Sequence, residues 1–411
     1  MTLIEPFDRA PLQNLAECLA IEPQHLILVG TAGNLNTSKS RHEQILAHLH
    51  MDTKVTTKPI SATASLDDIR RTFEDLMRDN SPCIIDLFGG DEVLLMAAGM
   101  AYQNCKDTCD VTLQRMDMAR GVALRLGNGQ PQVVGTRPQL SVEDSVKLYS
   151  GVVFSSETER ADNHTAEDVN PLWNIVKNNP TDWNKKLRAL NFFESQCKEE
   201  REGPIFNVNL YQSHNPSTEI EEWRRLYRAI IDELEQANAI ILYDNRNDRY
   251  RYRYTSPLTR ACLKKEGNLL EFKTLLTARE FMRDGKPFFN DCQMGVMLDW
   301  DGYLHNPYGP DVRDTRNEID VMVMRGCTPV FISCKNGGIE EEELYKLHTV
   351  ALRLGGTFAK KVLIATDYEP HSQKTKQSLM QRAKDMDIRF ETDAHTFSDA
   401  DWHRFFETLF A

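Results

Sequence analysis

Two short stretches place charged side chains where apolar ones would be expected. Asn317-Glu318-Ile319-Asp320-Val321-Met322-Val323 reads as a strand with Asp320 inside an apolar run. Val330-Phe331-Ile332-Ser333-Cys334-Lys335 reads as the next strand, closed by Lys335. A carboxylate and an ammonium on neighbouring strands can meet at one spot, and burying them is costly unless they pair or hold a metal. Two arrangements answer that cost. One is a salt bridge at a sheet edge. The other is a centre for phosphodiester hydrolysis, where carboxylates hold Mg²⁺ or Mn²⁺, the ion acidifies a water and Lys335 orients or activates it. Only Ile319 separates Glu318 from Asp320, so a regular pleat puts both carboxylates on one face.

A second set of residues concerns phosphate binding rather than hydrolysis. Two apolar strands end in Thr31-Ala32-Gly33-Asn34 and in Asp86-Leu87-Phe88-Gly89-Gly90-Asp91-Glu92. Glycines between a strand and a helix let backbone N–H groups approach an anion, but Gly-Gly also serves an ordinary tight turn. No third glycine follows at nicotinamide spacing. Arg249-Tyr250-Arg251-Tyr252-Arg253-Tyr254 is a third set, with arginines on one face of a strand and tyrosines on the other. Residues 246–265 hold seven Lys/Arg against one Asp. Such a row either tracks a phosphate backbone or is a solvated edge whose tyrosines pack inward. Pro310-Asp311 is a weaker acidic site in a loop-like stretch. Glu340–Glu343 reads as a solvated helix start, where acids suit the dipole. His305 and His348 lack partners at zinc or nucleophile spacing.

The elements that must position these residues fall into three regions. Residues 1–139 alternate strand and helix, as at His25–Gly30, Ser38–His50, Lys54–Ile60 and Cys83–Phe88, which predicts a parallel, doubly wound sheet. Ser65-Leu66-Asp67-Asp68 is a helix start. Gly127–Pro138 reads as a hairpin or linker. Residues 140–256 are mainly helical and broken by Pro171, Pro180 and Pro204. They end in a helix over Glu219–Gln236 and a hairpin over Ala239–Tyr254, a winged-helix-like pattern. Residues 257–411 are α/β again, opening with a helix over Leu258–Arg283.

Size and composition bound the rest. A chain of 411 residues exceeds one ordinary core. With 41% apolar and 27% charged residues it reads as globular, and no run is long and apolar enough for a membrane helix. Met1–Pro6 shows no secretory pattern, so a cytoplasmic location is expected. The nine scattered cysteines read as reduced thiols. A net charge of −12 excludes nucleic-acid binding by the whole surface, though not by a local basic channel.

The strand Asp and the hairpin ending in Ser333-Cys334-Lys335 follow a helix carrying Gly267-Asn268-Leu269-Leu270-Glu271. This pattern resembles the PD-(D/E)xK nuclease superfamily, and especially the C-terminal, restriction-endonuclease-like domain of CRISPR-associated CARF-fused endonucleases. The following helix, from Glu343-Leu344-Tyr345-Lys346-Leu347 through Leu354-Gly355-Gly356-Thr357-Phe358, is similar too, and the likeness covers roughly 257–367. It implies Glu271, Asp320, Ser333 and Lys335 as catalytic positions, with Glu271, Glu318 and Asp320 as ligands of Mg²⁺ or Mn²⁺. Ser333 stands where the family has Glu, and Ser is the poorer ligand for a hard cation. The N-terminal region resembles the CARF domain, a Rossmann-like sensor. That implies a cyclic oligoadenylate, cyclic tetra-adenylate first, bound by Thr31, Ala32, Gly33, Asn34, Phe88, Gly89, Gly90 and Asp91. Phe88 and Asp91 replace the family's two threonines. A ring-shaped ligand with two-fold symmetry implies a homodimer. Single-stranded DNA or RNA, or duplex DNA, is the implied substrate. A regulator that has lost hydrolysis through Ser333, or an unregulated restriction-type nuclease, are the alternatives.

Overall fold

A computed structural model describes residues 1–127, 129–158, 165–197, 205–211, 218–300, 316–366 and 373–410. Pro204, His305 and Pro310-Asp311 lie outside the described residues. The N-terminal sheet has strands β1 (Thr2–Pro6), β2 (His25–Thr31), β3 (Lys54–Ile60), β4 (Cys83–Asp86), β5 (Val111–Asp117), β6 (Val122–Leu126) and β7 (Gln132–Val134). Their order is β3-β2-β1-β4-β5-β6-β7, parallel from β3 to β5 and antiparallel beyond. Helices α1 (Ala16–Ile21) and α2 (Ala32–His48) cover one face; α3 (Leu66–Asp79) and α4 (Glu92–Cys105) cover the other. The expected doubly wound sheet is present. Its centre is β1, which sequence patterning does not reveal because Glu5 and Pro6 interrupt the apolar run.

The next stretch is shared between two sheets. Helix α5 (Val142–Leu148) and strand β8 (Val152–Ser155) sit with the C-terminal sheet, where β8 pairs with β14. Helices α6 (Thr165–Asn178), α7 (Pro180–Glu194) and α8 (Thr218–Gln236) accompany strands β9 (Ile205–Asn209), β10 (Ile240–Asp244) and β11 (Arg249–Tyr254). The three strands form an antiparallel sheet ordered β10-β11-β9. Pro171 lies inside α6 and does not break it as expected, whereas Pro180 stands at the break between α6 and α7 and opens the second helix.

The remaining elements are α9 (Pro257–Lys264), α10 (Asn268–Glu280), a ribbon β12–β13 (Met282–Arg283, Lys286–Pro287), β14 (Asp291–Asp299), β15 (Asn317–Arg325), β16 (Thr328–Asn336), α11 (Glu341–Gly355), β17 (Lys360–Thr366), α12 (Gln373–Asp385), β18 (Ile388–Glu391) and α13 (Asp399–Thr408). The single helix expected over 258–283 is two, parted at Glu266-Gly267, where the Glu266 carbonyl accepts from the Asn336 amide at 3.1 Å. The sheet runs β18-β17-β16-β15-β14-β8, with β16, β17 and β18 parallel and the others antiparallel. One apolar core joins the two large sheets. It runs from Leu3, Leu26 and Ile84 through Val142, Val146, Leu347 and Val350 to Met322, Phe331 and Leu363.

Candidate active site

Strands β15 and β16 pair in register from Arg325↔Thr328 to Val321↔Ile332, and the pairing stops there. Asp320 is the first residue past it. Its carboxylate accepts the Cys334 backbone N–H at 2.6 Å and the Ser333 hydroxyl at 3.2 Å. The side chain thus takes over from the ladder, and the two strands fork around it. Ser333 touches Asp320 at the position where a glutamate would add a carboxylate. Burial raises the Asp320 pKa, against the pull of the Cys334 amide, Lys335 and Ser333.

Lys335 does not close a salt bridge onto Asp320. Its ammonium pairs with Glu343 of α11 at 3.0 Å, with both side chains about a third exposed. Burial works against that ammonium, yet Asp320 and Glu343 outweigh it and hold the Lys335 pKa above its ordinary value. Glu343 therefore belongs to the site, whereas its sequence context read only as an acidic helix start.

Glu271 enters from the first turn of α10. Burial, with Asp320 and then Glu318 close by, pushes its carboxyl up to about 8, against Lys265. A Cβ on Gly267 would stand 3.2 Å from the Glu271 Oε1 and 4.0 Å from the Cys334 carbonyl, so that glycine leaves room for the carboxylate beside β16. Glu157 also raises Glu271. It lies over Gly295 of β14, where φ is +55° and a Cβ would meet Glu157 Cγ at 2.7 Å. Sequence reading missed Glu157; an isolated glycine inside a strand was the available signal.

The donor set suits a hard divalent cation: carboxylates that repel one another, with a fixed ammonium alongside. Yet among the described residues no three His, Cys, Asp or Glu side chains come together as a ready metal cage. Glu318 is exposed at the rim, near enough for its charge to raise both Glu271 and Asp320. Mg²⁺ commonly uses one or two carboxylates and keeps its waters, so Glu271 and Asp320 fit that pattern.

The other predicted residues lie along the carboxyl edge of the N-terminal sheet. Thr31 precedes α2 without a side-chain capping bond, and Thr31 and Gly33 are exposed; Ala32 and Asn34 belong to the same first turn. On the β4 side, Asp91 caps α4 by accepting from the Leu94 N–H at 2.9 Å. The Gly90 N–H donates to Asp8 at 3.0 Å, and a Cβ on Gly90 would meet Pro6 Cβ at 2.6 Å. Gly89 and Gly90 thus let the β4 turn press onto the β1 turn, and the Gly90 amide is already taken. Between the two predicted loops stands the β1 turn. Phe7, Asp8, Arg9, Pro11 and Asn14 face Thr37, Ser38 and Arg41 of α2 across a cleft of about 530 Å³. This cleft was not legible, because β1 was not. Phe88 does not line it and packs at a tilt of 30° on Phe358, next to β17, with 5.5 Å between ring centroids.

Beneath this edge lie three buried acids, Glu5, Glu17 and Asp86. Among the described residues no N–H donor reaches the carboxylate oxygens of Glu5 and Glu17, and the Glu17 and Asp86 carboxyl groups meet side by side. Burial, then neighbouring Asp86, raises Glu5 well above the carboxylate range and Glu17 to about 10; burial takes Asp86 to about 7.

The fold and these two edges define an α/β chain with two large sheets, a polar cleft at the edge of one and an acid–lysine fork at the edge of the other. The chain matches no protein-family model and no curated protein by sequence. Its fold is similar to that of protein VC1899 from Vibrio cholerae, with 16% identity over 100% of this chain and 97% of that one, and a TM-score of 0.73. It is also similar to Can2 from Sulfobacillus thermosulfidooxidans, solved in complex with cyclic tetra-adenylate, with 18% identity, the same coverage and a TM-score of 0.63. Among the described residues no helix is long and apolar enough to cross a membrane.

Proposed function

We propose that this chain is a cyclic-oligoadenylate-activated, metal-dependent nuclease of type III CRISPR defence. In this reading it has an N-terminal CARF-like sensor, a winged-helix-like middle and a C-terminal PD-(D/E)xK domain. The observation that carries it is the fork, where Asp320, Glu271 and Lys335 gather at the end of two strands. Whole-length likeness of fold to a protein solved with cyclic tetra-adenylate supports the sensor half. The strand order β10-β11-β9 beside α7 and α8 supports the winged-helix reading.

Glu271 and Asp320 would hold Mg²⁺ or Mn²⁺, with Glu318 at the rim. The ion supplies electron withdrawal from the phosphate and a more acidic water. Asp320 is oriented by the Cys334 amide and the Ser333 hydroxyl, so its carboxylate is fixed before substrate arrives. Lys335, with its pKa held up, keeps its proton. It therefore orients the attacking water and offsets developing negative charge rather than acting as a base. Glu343 fixes where that ammonium sits.

Ligand recognition belongs to the cleft beside α2, where the exposed Arg9 and Thr37 would offer donors to a phosphate ring, with Thr31–Asn34 and Phe88–Asp91 on either side. A homodimer is supported by Val93, Met96 and Met100, exposed by 50%, 59% and 43% along one stripe of α4. The experiment is cleavage of labelled DNA and RNA strands with Mn²⁺, with and without cyclic tetra-adenylate. Cleavage that requires the ligand and disappears in Asp320→Ala and Lys335→Ala is expected; cleavage surviving in both variants removes this site. A second reading, a nucleic-acid-binding regulator without hydrolysis, is favoured by Ser333 and by the lack of a three-acid cage among the described residues. Ligand binding with no cleavage under any condition would establish it.

A further inference from the structure

The small sheet β10-β11-β9 turns one face inward and leaves the other open. Inward, Tyr250, Tyr252 and Tyr254 are buried, and Tyr252 donates to Glu194 at 2.5 Å. Strand β11 is thereby anchored, and by alternation its outer face carries Arg249, Arg251 and Arg253, all exposed. None of the three has a carboxylate within ion-pairing distance among the described residues, whereas neighbouring Arg246 pairs with Asp244 and Arg228 with Asp248. In a chain of net charge −12 this is a concentrated basic row, and the acid that the register sets opposite Arg251, Asp244, is paired with Arg246.

What flanks the row is equally informative. On one side β10 presents Tyr243, 49% exposed, and Ile241, 39% exposed. The register sets Ile241 opposite Arg253, and the Arg251 guanidinium lies 5.7 Å from the Tyr243 ring centre. On the other side β9 sets Asn207 opposite Arg251 and Asn209 opposite Arg249, and these residues line a shallow hollow of about 310 Å³. Cations for phosphates, an open ring for stacking and amides for base edges lie side by side on one strand-built surface. Lys264 and Lys265 continue the positive charge through α9, which packs between β11 and α10, and Lys265 acts on Glu271.

We infer that the open face of β10-β11-β9 binds single-stranded nucleic acid, with Arg249, Arg251 and Arg253 on the phosphates and Tyr243 stacked on a base, and feeds the strand toward the fork. The feeding role rests on the nuclease reading; the binding does not. A duplex would not offer an unstacked base to Tyr243, so the face selects single strands.

The test is fluorescence anisotropy with labelled oligothymidine and oligouridine strands in EDTA, where no hydrolysis occurs. The triple variant Arg249→Ala/Arg251→Ala/Arg253→Ala should bind at least tenfold more weakly. Its slope of log affinity against log salt should be shallower by about 2, from roughly 0.7 per lost phosphate contact on a single strand. Arg251→Glu gives the same reading with one change should the triple variant fold poorly. Tyr243→Ala should cost roughly tenfold with the slope unchanged. Arg71→Ala, an exposed arginine on α3 of the N-terminal sheet, should bind like the parent. Unchanged affinity and slope in both arginine variants would overturn the inference, as would equal affinity for a duplex with no effect of Tyr243→Ala. Loss of the nuclease reading would show separately, as cleavage that survives Asp320→Ala.

Discussion

The two large sheets each gather carboxylates at one edge, and they treat them in opposite ways. Under the N-terminal edge, Glu5, Glu17 and Asp86 are sealed in with no ion-pairing cation among the described residues, and burial drives them toward the neutral form. At the C-terminal edge, Glu271, Asp320 and Glu318 face a fork with Lys335 beside them and a carboxylate, Glu343, holding that lysine in place. A count of acids does not separate the two. Access and a fixed ammonium do.

The sharpest way to break this contrast is to compare losses of activity. Asp320→Ala should reduce cleavage roughly 10³-fold, about 4 kcal/mol of transition-state stabilisation, while Glu5→Gln and Glu17→Gln leave the cleavage rate intact. Equal loss in both sets, measured as initial rates on a labelled strand, would erase the distinction. Next in size is Ser333→Glu, which adds a carboxylate beside Asp320 and should lower the Mn²⁺ needed for half-maximal cleavage roughly tenfold.

Coupling between the edges gives a smaller effect. Phe88 follows β4 and packs on Phe358 beyond the end of α11, whose first turn carries Glu343. Phe358→Ala should cut the stimulation by cyclic tetra-adenylate about two- to tenfold, matching roughly 0.5–1.5 kcal/mol for an aromatic pair. Basal cleavage should stay level in the same assay; an unchanged stimulation ratio would remove this contact from the relay.

The smallest effect concerns the sealed acids. Glu17 has a folded pKa of about 10 against an ordinary 4.5, so the native state binds the extra proton. Its unfavourable contribution therefore grows as pH rises from about 4.5 and levels off above about 10. Glu17→Gln should raise Tm by roughly 1 °C at about pH 8, which is what ~1 kcal/mol gives in a chain of 411 residues. At about pH 4.5 it should change Tm little. A gain of the same size at both values would show that titration is not the cause.

Much of this architecture was legible. The apolar runs of β2 and β4 and the Ser65 start of α3 appear in the structure, as do the tyrosines of β11 turned inward. What escaped has particular causes. Strand β1 hides behind Glu5, a charge that only a buried acid cluster accommodates. The kink at Glu266-Gly267 depends on Asn336, seventy positions away. Glu343 resembled a dipole-matched helix start, and only the approach of α11 to β16 shows its lysine. Glu157 comes from a stretch with no signal beyond the glycine facing it.

The apolar body that runs unbroken from Leu3 to Leu363 has a further implication. A sensor built on its own sheet is usually an exchangeable cassette, joined by a tether. Here, severing the chain between the halves would lay bare a wall of leucine, methionine and valine on each piece. The two large sheets have been poured as one casting, so neither half can be transplanted without rebuilding the seam.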